Sequence, residues 1–118
     1  MKNIVPFDMN KSEEILAGTT VEIFRLQVPA NSTLHVTHFA NSINEFDAWG
    51  VITWIFKRNG CPIDPYNEIQ DQIAFGAPLR TLAGVDISGA DLFTIDIKNE
   101  YIDVVKCGIA LKYELWEN

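Results

Sequence analysis

Apolar and polar residues alternate with a period of two along most of this chain, the pattern of strands with one buried face. In Thr20–Val28 (TVEIFRLQV), Phe24, Leu26 and Val28 share one face, and Arg25 and Gln27 take the other. The cluster Pro29-Ala30-Asn31-Ser32 then breaks the run, and a second strand is predicted over Thr33–Phe39. The shortness of the link predicts a hairpin. Ala40–Ala48 is polar and reads as a loop. Trp49–Arg58 (WGVITWIFKR) is apolar on both faces as far as Lys57, as expected of a covered central strand. It ends at Asn59-Gly60, a strong turn signal. Pro62 and Pro65 restrict Cys61–Gln72 to a short edge strand followed by an excursion.

Ile73–Ala83 is ambiguous: IAFG suits a short strand, and Ala77-Pro78 marks a break. Beyond the turn Ser88-Gly89-Ala90-Asp91, Leu92–Asn99 alternates with Phe93, Ile95 and Ile97 inward and Thr94, Asp96 and Lys98 outward. Asn99-Glu100 signals another turn. The last strand, Val104–Trp116, sets Ile109, Leu111, Tyr113 and Leu115 against Ala110, Lys112, Glu114 and Trp116. About eight short strands with regular turns predict an all-β fold, an antiparallel β-sandwich of jelly-roll type. The helical signal is confined to Asn10–Ala17, where an N-cap and early acids allow one or two turns.

Residues 1–19 precede the first strong strand and are expected to form an extended N-terminal arm, leaving 20–118 as the sandwich domain. Ile4, Val5 and Phe7 would anchor this arm, either across an open end of the sandwich or on a neighbouring subunit. Tyr66 and Tyr101, in loops, and Trp116, outward on the last strand, complete the set of candidate interface residues.

A length of 118 residues fits one domain with a real core. The formal charge is −7, with 5 basic and 6 acidic residues in 1–60 and 4 and 10 in 61–118. Such acidity argues against nucleic acid or an anionic membrane as partner. The N-terminus lacks an apolar run of signal-peptide length, which makes a cytoplasm the expected site of synthesis. Cys61 and Cys107 have no metal or redox spacing and read as free thiols, with a disulfide as the alternative.

A search for chemistry yields no catalytic, cofactor-binding or metal site. His35 and His38 lie three apart on a strand and point to opposite faces unless a bulge intervenes. Cys107 sits in an apolar run, where a thiol packs inertly. Asp64, Glu68, Asp71, Asp86, Asp91, Asp96 and Asp103 lie mostly in or beside turns, as solvated carboxylates do. Asp64, Asn67, Glu68 and Asp71 lack the spacing and glycine of the common calcium loop. Gly76, Gly84, Gly89 and Gly108 form no phosphate loop. The chain is expected not to be an enzyme.

The runs VPANSTLHVTHFANSI, WGVITWIFKRNGCPI, DQIAFGAPLRTL, GADLFTIDIKN and GIALKYELW resemble the pattern of small jelly-roll virion proteins of tailed bacteriophages over roughly residues 20–116. The resemblance implies a capsid decoration or auxiliary protein, assembled in the host cytoplasm and resident in the virion. Its partners would be the major capsid protein, or another virion protein, and further copies of itself as a dimer or trimer. It carries no residue-level role. The alternative is a glycan- or receptor-binding module, with an enzyme on the same scaffold a weaker one.

Overall fold

The computed structural model describes residues 3–71 and 85–118, together with the backbone of 80–81. Among the described residues there are nine strands: β1 (Ile4–Ile15), β2 (Thr20–Gln27), β3 (Ser32–Ile43), β4 (Ile52–Arg58), β5 (Cys61–Pro62), β6 (Arg80–Thr81), β7 (Asp86–Ser88), β8 (Leu92–Asn99) and β9 (Val105–Glu117). A single 3-10 turn, Phe46–Ala48, interrupts them. One sheet has the order β1–β9–β3, with β6 and β7 pairing different stretches of the far edge of β3. The other has the order β2–β8–β4–β5. Every pairing is antiparallel. Most consecutive strands cross from one sheet to the other, and that interleaving defines a jelly roll.

The alternation read along the chain decides which face of each strand is buried. Phe93, Ile95 and Ile97 of β8, and Ile109 and Leu111 of β9, lie in the core as expected. The centre is aromatic: Phe56 meets Phe39 edge-on at 5.0 Å and Phe93 at 5.6 Å. Trp54 is fully buried and stacks on Trp49 at 5.7 Å. Fully burying each of these large side chains stabilises the fold by roughly 2–3 kcal/mol. A bulge between Glu22 and Phe24 lets β2 place Ile23 in the core while Val21, Phe24 and Leu26 still pack against it.

Local turn signals are realised. Asn59 and Gly60 both take positive φ, 51° and 81°, and close the β4–β5 hairpin. At the turn after β7, a Cβ on Gly89 would strike the carbonyls of Pro29 and Ala30, so only glycine allows this approach.

Three expectations are corrected. Pro29–Ser32 does form a turn, with Ser32 N–H bonded to the Pro29 carbonyl, but β2 and β3 belong to different sheets and make no hairpin. Ala40–Ile43 is strand rather than loop, because it continues the ladder with Cys107–Ala110 of β9. Asn10–Ile15 is strand rather than helix for the same reason: twelve residues of β1 pair with β9 in unbroken register, from Ile4 opposite Trp116 to Ile15 opposite Val105. The segment 1–19, expected as an arm outside a domain at 20–118, thus supplies the first strand of the sandwich. It is extended and largely exposed, but the strand that receives it is this chain's own β9. The ambiguous Ile73–Ala83 stretch falls mostly outside the described residues; within it, Arg80–Thr81 pairs with His38–Phe39.

Candidate interaction surfaces

At one end of the sandwich three connections meet: 16–19, 44–51 and 100–104. A buried side chain, Asn99, ties the first of these to the last. Asn99 donates through Nδ2 to the carbonyls of Ile15 at 2.8 Å and Asp103 at 3.0 Å. Its Oδ1 accepts the Tyr101 N–H at 2.7 Å. The backbone adds Gly18 N–H to the Asn99 carbonyl, Asn99 N–H to the Thr19 carbonyl and Glu100 N–H to the Val51 carbonyl. Asn44 and Lys106 exchange two further bonds, Asn44 N–H to the Lys106 carbonyl and Lys106 N–H to Asn44 Oδ1.

This frame holds large apolar side chains out in water. Phe46 is 81% exposed and Ile102 91%, with Leu16, Val51 and Val104 exposed beside them. Glu45, Asp47, Glu100 and Asp103 belong to the same connections and give this end a negative rim. Tyr101 senses it. Partial desolvation first, then the charges of Glu45, Asp47 and Asp103, raise its phenol above the ordinary tyrosine range.

The opposite end is built on strands. On the outer face of the β1–β9–β3 sheet, Ile4 lies across from Trp116, and the Trp116 indole N–H donates to Glu114 Oε1 at 2.9 Å. His35 packs against the Trp116 ring, centroids 3.8 Å apart, while its Nδ1 contacts Asp86 Oδ1 at 2.5 Å. On the inner face, β1 overhangs the second sheet. Phe7 stacks on Tyr113 at 5.0 Å, Tyr113 meets Phe24 edge-on at 5.8 Å, and Val5 lies opposite Leu115. Val5, Phe7 and Leu115, with the Pro29–Ser32 turn, border an open cleft of about 330 Å³.

The six residues expected at an interface therefore separate. Ile4, Val5, Phe7 and Trp116 share the strand-built end, divided between two faces. Tyr101 belongs to the loop end. Tyr66 leans on Phe56 at 5.6 Å, and its backbone caps the excursion after β5, so it serves the core. The sequence reading missed Phe46, Val51, Ile102 and Val104. Their signal was large apolar residues inside stretches otherwise made of turn formers, as in NEFDA and NEYID.

The candidates for chemistry are dispersed. A bulge in β3 between Val36 and His38 turns His35 and His38 to the same outer face, and the hydroxyl of the extra residue, Thr37, donates to the Lys112 carbonyl. The geometric objection to a shared ion thus falls. Yet His35 faces Asp86 while His38 Nδ1 meets Thr37 Oγ1, and among the described residues no three His, Cys, Asp or Glu side chains converge. Asp96 pairs with Lys57 at 2.8 Å. Asp91 pairs with Arg58, and hydrogen bonds from Asn59 and then Arg58 hold its carboxyl below the usual range. Asp64 and Glu68 are exposed on the excursion. Cys61 is exposed and Cys107 buried, both as free thiols, and burial pushes the Cys107 thiol up to about 12.

No family model matches the chain, and no curated protein matches it either.

Proposed function

We propose that this chain is a structural binding module of a bacteriophage virion, an auxiliary or decoration protein that acts through protein–protein contact. The observation that carries the reading is the loop end. A hydrogen-bonded frame around buried Asn99 keeps Phe46 and Ile102 largely in water, where each costs solvation free energy. Apolar anchors held rigid before contact lower the entropy of association. The acidic rim of Glu45, Asp47, Glu100 and Asp103 favours a partner with an apolar pocket bordered by Lys or Arg. The particular assignment to a virion draws on the sequence resemblance; jelly rolls also serve as lectin domains, so the fold alone does not choose between them.

The strand-built end favours a second reading, a glycan- or receptor-binding module. There Trp116 is fixed by Glu114 and His35 and partly exposed, as a sugar-stacking ring would be. Co-sedimentation with shells of the particle whose genome encodes the chain separates the two. The virion reading expects the protein to pellet with the shells, and the double variant F46S/I102S to remain in the supernatant. Retention on a glycan array without pelleting, lost on Trp116→Ala, would replace it with the second reading.

A further inference from the structure

β1 is the outermost strand of its sheet, and among the described residues nothing pairs its second edge. A twelve-residue open edge is a template for another strand unless something blocks it. The phase of the β1–β9 ladder decides which residues face that edge. Glu117 N–H bonds to the Asn3 carbonyl, so the odd-numbered residues of β1 turn their backbone groups toward β9. The even-numbered ones, Ile4 to Glu14, turn theirs outward. Pro6 is even-numbered, and its missing N–H blocks the first half of the edge. From Asp8 onward every outward-facing residue keeps its donor.

Lys11 and Glu13 lie in this open half, two apart and hence on one face. Both are exposed, and neither has an ion-pair partner among the described residues. A second copy brought up antiparallel across a two-fold axis satisfies them in one register. Centring on Asp8, Lys11, Glu13 or Glu14 opposes like charges directly. Centring on Pro6, Phe7, Met9 or Asn10 requires the N–H that Pro6 lacks. Centring on Ser12 avoids both faults. Ser12 then exchanges two hydrogen bonds with its symmetry mate, Asn10 exchanges two with Glu14, and each Lys11 stands opposite a Glu13 of the other copy. Lys11 and Glu13 meet as non-hydrogen-bonded pairs, where side chains approach most closely. Met9 comes opposite Ile15 on the same face.

We propose that the chain forms a two-fold dimer by antiparallel pairing of β1 with β1, centred on Ser12 and selected by reciprocal Lys11–Glu13 ion pairs. The contact joins the two β1–β9–β3 sheets into one and uses neither Phe46 nor Ile102, so it stands apart from the virion reading: its failure leaves the Phe46–Ile102 test intact.

Sedimentation equilibrium at micromolar concentration tests it. The wild type is expected at twice the chain mass of 13.3 kDa. Lys11→Glu opposes like charges twice and weakens the dimer by roughly tenfold or more. The swap K11E/E13K restores the attraction and the dimer. Ser12→Pro removes an N–H that faces the open edge and takes no part in the β9 ladder, so it yields a folded monomer. A monomeric wild type overturns the proposal, as does a dimer that survives either Lys11→Glu or a folded Ser12→Pro variant.

Discussion

At the strand-built end, Val5 and Phe7 are exposed because β1 overhangs β2, and each still packs against a neighbour on β9. At the loop end, Phe46 and Ile102 project from connections held by backbone hydrogen bonds, with most of each side chain in water. The first arrangement follows from the place of β1 at the edge of its sheet and still contributes to stability. The second contributes little and is kept rigid by polar bonds underneath. Exposed apolar area thus has different meanings at the two ends, and substitution separates what serves the fold from what is offered to a partner.

The largest effect is expected at the frame. Asn99→Ala strands the carbonyls of Ile15 and Asp103 and the Tyr101 N–H, and should cost about 2–4 kcal/mol in denaturant unfolding. A loss below about 0.5 kcal/mol would mean that the three connections are held independently of Asn99. Next comes Phe7→Ala, which gives up the stack on Tyr113 and part of its burial, at about 1–2 kcal/mol. Against it, F46S/I102S should change stability by no more than about 0.5 kcal/mol. Equal losses for the two would erase the distinction between the ends.

A further test, read in the pH dependence of stability, lies on β9. Cys107 has its thiol raised to about 12 in the fold, against about 8.5 in an unfolded chain. Above the lower value the unfolded chain releases a proton that the folded one retains. The thiol's contribution is therefore complete below about pH 8.5 and declines as pH rises toward the folded value. Unfolding at mildly and strongly alkaline pH should show a shallower loss for Cys107→Ala than for the wild type; identical slopes would refute this. In the native state a thiol reagent should modify Cys61 alone.

Sequence made legible what local chemistry decides. Asn59-Gly60 closes its hairpin because two adjacent residues supply both positive φ values. Phe93, Ile95 and Ile97 point inward because alternation alone assigns their face. Sheet membership is different. Pro29–Ser32 makes the same turn whether the chain doubles back or crosses between sheets, so the expected hairpin had no local contradiction. In β1, Lys11 and Glu13 occupy the parity of the inner face, which hid a strand that overhangs its neighbour and needs no apolar residue there. The loop end was obscured by Asn99, which carries a turn residue's identity while its buried amide ties the end of β1 to the 100–104 connection. The bulge at Thr37 likewise put two histidines on one face against simple counting.

The pairing of β1 with β9 also sets an order of events during synthesis. β1 leaves the ribosome well before its ladder partner, β9. Until Val105–Glu117 emerges, β1 has no neighbour in its sheet and β3 lacks its longest one. The sheet therefore assembles around β9, and a chain arrested before β9 emerges would present β1 unpaired and β3 paired along one edge alone, a species prone to aggregation and suited to chaperone capture.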